Sequence, residues 1–479
     1  MTDAVTGMND DAARALDEVL AAAGLQGLDR AALTVSGTDP IVPSRFRLGA
    51  AVAGALGAQA LGIAQIWQQR GGRPQQLVID LAHAAYPGLC TFLHIQQNGH
   101  ALPFTRWDGQ GPNFFPTRDG RRFYLLYTAN YVQHCLRLHA FLGASTHHVS
   151  VARAIAGWDG EALEQALAEQ RLIGAVARTR QQWLAHPQGA WLADQGPLTL
   201  ERIGSSPPEP FGPAERPLAG VRVLDMAHVL AGPVASRVLA EQGADVIHVS
   251  AAHQPDGHLT DIDTGLGKRT AFIDLERADD RERLRTLIRG ADVFIQSWRP
   301  GALGRRGFSP EAIAALRPGI VQASLSCYGS GGPWGERGGY EPLGQAVSGY
   351  AIAEGSTDEP RLACTFTLND YLAAYLAAAG IVGALLRRAA QGGSHHVQTS
   401  LTQSSMWVQS LGALPRHLWP DGEQGVAALP DAPARFFQQT ASVFGTLRHP
   451  RPIVHYGETP AYWALPPSPM GAGLPHWLP

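Results

Sequence analysis

The clearest hydrophobic pattern in the sequence begins at Val221, where short apolar runs alternate with segments of helical spacing. The runs are VRVLDM, ADVIHV, ADVFIQ and IVQASL, and GPVASRVLAEQG, DRERLRTLIRG and SPEAIAALRPG lie between them. Strands that alternate with helices in this way predict an α/β domain with a doubly wound, mostly parallel sheet. Such sheets bind ligands beyond the carboxyl ends of their strands. We therefore expect the chemistry in the loops that follow Met226, Gln296 and Leu325.

A proline-rich stretch, GSSPPEPFGPAERP, separates this pattern from the first part of the chain and is typical of a linker. A second loose, proline-punctuated stretch ends the sequence, and we expect it to wrap the surface. The predicted organisation is an N-terminal helical extension (1–39), a smaller α/β domain (40–203), the linker (204–217), the main domain (218–413) and a proline-rich tail (414–479).

The smaller domain contains a weak copy of a segment from the main domain. Residues 54–81 and 370–401 both consist of a helix of small residues with a Gly-Ile pair, a Gly-Gly turn and then a strand. When Gly62 is aligned with Gly380, Val52 falls where Asp370 stands. The first copy therefore has the scaffold but no carboxylate at this place.

Composition narrows the class of protein. Apolar residues make up 45% and charged residues 16% of 479, the net charge is -3, and no Lys/Arg run suggests nucleic acid. Four well-separated cysteines favour a reduced protein, and adjacent histidine pairs point in different directions, so no metal site is expected. The acidic N-terminus lacks the apolar core of a signal peptide, and the most apolar run, from Tyr371, is shorter than the roughly 20 residues of a membrane span. We expect a cytoplasmic protein without a membrane partner.

Two local features carry candidate chemistry. The Ala-Gly-Pro turn after VRVLDM could bring a phosphate to a helix N-terminus, although the fragment alone favours a plain tight turn. Asp370 opens the Ala/Gly-rich helix, where the helix N-terminus stabilises a carboxylate by roughly 0.3–1 kcal/mol. On spacing alone, Thr367 to Asp370 (TLND) is better explained as a capping box.

Six segments together resemble the family III CoA-transferases, the group that includes formyl-CoA transferase, carnitine CoA-transferase and α-methylacyl-CoA racemase. They are RPLAGVRVLDMAHVLAGP, GADVIHV, GKRTAFIDL, ADVFIQSWRPGALGRRGF, GGPWGERGGYEPLGQAVSG and LNDYLAAYLAAAGIVGALL. They occur in the order and spacing of that family between Arg216 and Met406. The resemblance implies a Rossmann-like CoA-binding domain, with the family's smaller domain preceding it along the chain instead of following it.

In that family the aspartate at the position of Asp370 attacks the thioester and forms a mixed anhydride. The resemblance therefore makes Asp370 the catalytic residue and reverses the preference for a helix cap. It also implies a set of CoA contacts, namely Leu230, Ala231, Ile273, Asp274, Ser297, Trp298, Arg299, Arg305, Arg337, Gly338, Gly339, Tyr340 and Glu341. For Arg299 and Arg305 the alternative is a solvated surface position.

The sequence departs from the family pattern at several points. Leu230 stands where formyl-CoA transferase has glutamine, and His248, Ser250 and Ala251 replace a Lys-x-Glu segment with a following arginine. Tyr340 replaces the histidine that the racemase branch uses in proton transfer, so a transferase is preferred over a racemase.

The expected substrates are an acyl-CoA and a small carboxylic acid, with CoA as a substrate and no permanently bound cofactor. We expect a homodimer in which the smaller domain closes over the site to exclude water. The alternatives are a CoA-ester racemase or isomerase on the same fold and a CoA-binding subunit with little chemistry of its own.

Overall fold

The computed structural model describes residues 8–102, 113–126, 131–254, 256–420 and 432–478. Its strands are β1 (Leu33–Ser36), β2 (Leu77–Asp80), β3 (Gln96–Gln97), β4 (His100–Ala101), β5 (Phe114–Pro116), β6 (Arg122–Leu125), β7 (Gly174–Val176), β8 (Thr199–Gly204), β9 (Arg222–Met226), β10 (Asp245–Ser250), β11 (Lys268–Phe272), β12 (Val293–Gln296), β13 (Val321–Ser326), β14 (Ser394–Ser400), β15 (Phe437–Ser442), β16 (Gly445–Pro450) and β17 (Val454–Tyr456). Its helices are α1 (Asp10–Ala23), α2 (Leu48–Gln69), α3 (Leu81–Ala85), α4 (Val132–Leu142), α5 (His148–Ile155), α6 (Gly160–Glu169), α7 (Arg180–Ala185), α8 (Pro187–Ala193), α9 (Ala231–Ala240), α10 (His258–Thr264), α11 (Ala278–Arg289), α12 (Pro310–Leu316), α13 (Glu341–Val347), α14 (Tyr350–Glu354), α15 (Leu368–Gln391) and α16 (Leu401–Ser410).

The largest sheet within these ranges has seven strands in the order β11-β10-β9-β12-β13-β14-β8. The strands from β11 to β14 are parallel, and β8 pairs antiparallel with β14. The predicted α/β class with a doubly wound, mostly parallel sheet is therefore confirmed. The strand order reverses between β9 and β12, which is the position where such sheets bind ligands beyond their carboxyl ends.

Side chains of the central strands alternate between two apolar layers. Val223 and Ile295 belong to a large cluster that also contains residues of α9 and α15. Leu224 and Phe294 face the other way, into a cluster that Leu284 of α11 helps to close. Because both faces of the sheet are covered, these strands are continuous apolar runs in the sequence.

The arrangement of β13, β14 and β8 occurs a second time in the sheet of β1, β2 and β17. In each case two parallel strands are followed by an antiparallel third, and a long helix precedes the central strand. β8 comes from the N-terminal half of the chain but pairs with β14, whereas β17 comes from the C-terminal end but pairs with β2. The two halves therefore exchange edge strands across the expected linker at 204–217.

The two long helices, α2 and α15, pack against each other. A Cβ atom on Gly62 would lie 2.4 Å from Val382 Cγ1, so this approach requires glycine. Both helices are long and apolar enough to cross a membrane, with a mean hydropathy of 1.4, but 94% and 89% of their apolar stretches are buried inside the protein. The protein itself covers this apolar surface.

Smaller sheets lie beside this core. β5, β6 and β7 pack with α4, α5 and α6 around a separate apolar cluster. A four-stranded sheet joins β15 and β16 of the tail to β3 and β4 of the N-terminal half. The tail, expected to be a loose segment, contributes β15, β16 and β17, while its residues 421–431 lie outside the described ones. Beyond β17 the tail runs over the main domain, where the Trp477 indole donates to the Leu287 carbonyl at 2.9 Å.

A buried charge network holds the turn between β9 and α9. The Asp225 carboxylate accepts hydrogen bonds from Lys268 Nζ at 3.0 Å and Ser236 Oγ at 2.6 Å, and His248 Nδ1 lies 2.9 Å from it. Lys268 Nζ also donates to the Pro233 carbonyl at 2.6 Å. Burial alone would raise the pKa of Asp225. The charges of Lys268 and then His248 outweigh burial and hold this pKa well below its usual range. Lys268 is the only lysine in the sequence, and it is buried.

Replacing Lys268 with methionine is expected to destabilise the protein by about 3–5 kcal/mol, because Asp225 would remain buried without its cation. Chemical denaturation at pH 7 measures this loss. The double variant with Asp225→Leu should recover part of it, since neither charge is then left alone. The buried Lys268 amine reacts with an acylating reagent only when the protein unfolds. The rate of its acylation in the wild type therefore gives an independent measure of unfolding. A single variant within about 0.5 kcal/mol of wild type would contradict the role of this pair.

Candidate active site

A cleft of about 1150 Å³ opens at the carboxyl ends of β9, β12 and β13. Residues from the loops after Met226, Gln296 and Leu325 line it. These are the three loops in which the strand pattern led us to expect chemistry, and they meet because parallel strands end at the same edge of a sheet.

The structure brings most of the predicted site residues to this cleft. Asp370 lines it together with Leu230, Ala231, Ser297, Trp298, Arg299, Arg305, Arg337, Gly338, Gly339 and Tyr340. Ile273 and Asp274 instead line a neighbouring cavity of about 170 Å³, which shares Trp298 with the cleft. Glu341 is buried next to this group rather than part of the lining.

Asp370 is the third residue of α15 and is half-buried in the cleft wall. Among the described residues, none donates a hydrogen bond to its carboxylate, and burial raises its pKa to about 7. The capping box that the TLND spacing favours does not form. Thr367 makes no side-chain cap, and its Oγ1 is buried without a hydrogen-bond partner in the described ranges.

Glu341 satisfies the first turn of α15 instead. Its Oε1 accepts hydrogen bonds from the Asn369 backbone N–H at 2.9 Å and from Gln345 Nε2 at 2.6 Å. Its Oε2 is buried and has no partner within the described part of the chain. Burial and then the nearby Asp370 carboxylate raise the pKa of Glu341 well above its usual range. Desolvation therefore favours the neutral form of Glu341 over its carboxylate.

Three non-glycine residues with left-handed backbone lie at or near the cleft. They are Val229 (φ 63°), Arg171 (φ 55°) and Phe366 (φ 61°). Phe366 lies four positions before Asp370 in the sequence. A β-branched residue such as Val229 is strained in this conformation. Its backbone N–H donates to the buried Asp256 carboxylate at 3.0 Å, which holds the turn after β9. Strain of this kind concentrates at functional sites.

Gly338 and Gly339 leave room for two side chains of the cleft. A Cβ atom on Gly338 would lie 2.3 Å from Arg299 Nε, and one on Gly339 would lie 2.5 Å from Cys327 Sγ. A side chain at Gly338 would displace the flexible end of Arg299, whereas Cys327 and Tyr328 leave no room for one at Gly339.

The N-terminal half forms one wall of the cleft, and the sequence analysis did not identify the residues of this wall. Tyr131, His134, Arg137 and Arg171 line it. Tyr131 stacks on Tyr340 with ring centroids 5.4 Å apart. No motif marks these residues. They reach the site because the sheet of β5, β6 and β7 docks on the main domain. The sequence analysis anticipated them only through the expectation that the smaller domain closes over the site.

The segment that departs from the family pattern ends at the neighbouring cavity. Ser250 and Ala251 line that cavity, and Ser250 Oγ is buried without a partner in the part of the chain that the structure describes. Arg306 also lines this cavity, but its Nη2 is paired with Glu276 Oε1 at 2.6 Å. Ser250 and Ala251 therefore bring no positive charge to this cavity, where the resemblance implied one.

Comparison with known proteins places these features in a family. The family described as CoA-transferase family III matches residues 218–439. The acetyl-coenzyme A transferase nodX of Hypoxylon pulicicidum is 27% identical over 429 residues, covering 80% of this chain and 72% of that protein. The formyl-CoA:oxalate CoA-transferase of Streptomyces avermitilis is 34% identical over 198 residues, covering 38% of this chain and 47% of that protein.

The acetyl-CoA:oxalate CoA-transferase of Acetobacter aceti is 30% identical over 219 residues, covering 42% of this chain and 54% of that protein. Apart from nodX, the chain spans about half the length of these curated relatives. Among solved structures, a CAIB/BAIF family protein from Brucella suis is 25% identical, with a TM-score of 0.39 and coverage of 49% of this chain and 65% of that one.

The match over residues 218–439 includes Asp370 and the three loops that line the cleft. This domain is therefore similar to the CoA-transferases of family III, and the curated proteins that it resembles carry transferase names.

Proposed function

We propose that the protein moves CoA from an acyl-CoA donor to a free carboxylic acid through an aspartyl-acyl anhydride on Asp370. One observation carries this proposal. Asp370 is a carboxylate in a large cleft at the switch point of the sheet, and no described residue engages it. A carboxylate that accepts no hydrogen bonds keeps its lone pairs available for attack.

In the first step, a carboxylate oxygen of Asp370 attacks the carbonyl carbon of the donor thioester. The carbon–sulfur bond breaks, the thiolate of CoA leaves with the electron pair, and a mixed anhydride remains on Asp370. The raised pKa of Glu341 favours its neutral form, which limits the negative charge beside the nucleophile.

In the second step, the carboxylate of the acceptor attacks the Asp370 carbonyl carbon of the anhydride and releases the donor's acid. The CoA thiolate then attacks the acceptor's carbonyl carbon, which forms the new thioester and restores the Asp370 carboxylate. No proton is consumed in this sequence. The CoA must stay bound and water must stay out, and the wall supplied by the N-terminal half suits both needs.

A racemase on the same fold is the less favoured alternative. It needs a second proton-transfer group, and Tyr340 occupies the expected place. Burial raises the pKa of Tyr340 above its usual value, which keeps the phenol protonated. Deuterium exchange at the α-carbon of an acyl-CoA would identify a racemase, and CoA binding without any acyl adduct would identify a subunit with little chemistry. The homodimer, the cytoplasmic location and the lack of a permanent cofactor stay predictions.

Asp370→Asn is expected to lower CoA transfer at least about 10³-fold, because the amide cannot form the anhydride. A panel of acyl-CoA donors and free acids, with hydroxylamine trapping followed by mass spectrometry, measures both turnover and the adduct. Asp194→Asn, which changes an exposed carboxylate at the end of α8, serves as the control. Transfer by Asp370→Asn at the rate of Asp194→Asn would refute the assignment.

The pH dependence should reflect the raised pKa of Asp370. Only the ionised carboxylate attacks, so kcat/KM is expected to rise with pH and to level off above a midpoint near 7. Glu341→Gln should leave this midpoint nearly unchanged, because burial accounts for the raised pKa of Asp370. A midpoint near 4 in the wild type would contradict the buried environment of Asp370.

The free energy of unfolding should also reflect the desolvation of Asp370, in the absence of substrate. A carboxyl whose pKa is raised in the folded state destabilises the fold as pH rises from the unfolded value, about 4, through 7. Asp370→Asn is therefore expected to stabilise the protein by a few kcal/mol at pH 8 and by less than about 1 kcal/mol at pH 4. Denaturant titrations at the two pH values measure the difference. An equal effect at both values would show that Asp370 is not desolvated.

A further inference from the structure

Five arginines around the cleft lack a carboxylate partner. They are Arg137 and Arg171 from the N-terminal half and Arg299, Arg305 and Arg337 from the main domain. None of them forms an ion pair within the described ranges. The hydrogen bonds that Arg137 and Arg299 donate go to backbone carbonyls, those of Gln170 and Arg171.

The carboxylates of the same cleft are too few to balance the five arginines. Glu164 is committed to the buried Arg178, whose Nη2 lies 2.6 Å from it. Glu169 accepts a hydrogen bond from Gln165 at 3.0 Å, and Glu336 is exposed at the rim. Asp370, with its raised pKa, carries at most part of a charge at pH 7. The cleft is therefore positive.

The arginines of the two walls are close enough to repel one another. The pKa of Arg299 is lowered by burial, and the charges of Arg171 and Arg137 contribute in the same direction. Burial, Arg299 and Arg137 lower the pKa of His134, between these walls, to about 4. Like charges held together without a counterion destabilise a fold, and an anion bound between them would relieve the repulsion.

The backbone at Arg171 holds the two walls in this arrangement. Arg171 has a left-handed φ of 55°, and its carbonyl oxygen accepts a hydrogen bond from Arg299 Nη2 at 3.1 Å. A strained non-glycine residue that links two walls of a cleft is typical of a binding site.

We propose that Arg137 and Arg171 bind phosphate groups of CoA from across the cleft, opposite Arg299 and Arg305. This inference rests on the proposed function, because it takes CoA as the ligand. Guanidinium groups bind phosphate oxygens through two parallel charged hydrogen bonds. The N-terminal half thereby adds positive charge to the cleft, whereas Ser250 and Ala251 add none to the neighbouring cavity.

Direct binding of CoA, dephospho-CoA and pantetheine to the full chain, measured by calorimetry, tests the proposal. The Arg137→Ala, Arg171→Ala double variant is expected to bind CoA about 10- to 100-fold more weakly than wild type. The affinity of the double variant for dephospho-CoA should fall by the same factor as its affinity for CoA or by a smaller one. Its affinity for pantetheine, which has no phosphate, should equal that of wild type. Arg153→Ala, at an exposed arginine of α5 that does not line the cleft, is the matched control.

Because a change at Arg171 could disturb its backbone, Arg137→Glu provides a second variant on the exposed face of α4. It should weaken CoA binding at least as much as Arg137→Ala and should leave the circular dichroism spectrum unchanged. Unchanged CoA affinity in both variants would overturn the proposal. So would an equal loss for pantetheine, or a rise in the acceptor acid's KM without a loss of CoA affinity, which would assign the arginines to the acceptor carboxylate.

The binding measurement separates this inference from the proposed function. If CoA affinity depends on the two arginines but no acyl transfer to any acid is found, the inference stands and the transferase assignment fails. If transfer depends on Asp370 while the double variant binds CoA like wild type, only the inference fails.

Discussion

The close packing of α15 against α2 controls where the other elements of the protein can lie. Gly62 lets the two helices approach until a single added Cβ would collide with Val382. α15 also packs on β13, β14 and α9, so it joins the main sheet to the N-terminal half. The exchanged strands β8 and β17 connect the same two halves at the sheet edges. Because α15 begins inside this assembly, its first turn lies at the base of the cleft wall rather than in solvent.

The chemistry of Asp370 follows from that position. A carboxylate at the start of a solvated helix would have a low pKa, whereas burial raises the pKa of Asp370 to about 7. Glu341 accepts the hydrogen bond from the Asn369 N–H, so Asp370 need not serve as a cap. The structural role and the proposed chemical role are thus divided between two adjacent carboxyl groups.

Charges are treated differently in the core and in the cleft. In the core, Lys268 is matched by Asp225, and Arg178 is matched by Glu164, as expected for buried charges. Around the cleft, Arg137, Arg171 and Arg299 face one another without such partners in the described ranges. On the proposal that CoA binds here, its phosphate groups would be the missing partners of these arginines.

The main sheet, the three loops at its carboxyl edge and the helix that begins near Asp370 could all be predicted from the amino-acid sequence. They are encoded locally, since apolar runs and helical spacing define each element, and parallel strands bring their carboxyl ends together. Tertiary contacts were needed to show that the Glu341 side chain, rather than that of Thr367, accepts a hydrogen bond from the first turn of α15. They were also needed to show that β8 completes the main sheet and that Arg137 and Arg171 line the cleft. These features depend on contacts between residues far apart in the chain, which leave no periodic signal in the sequence.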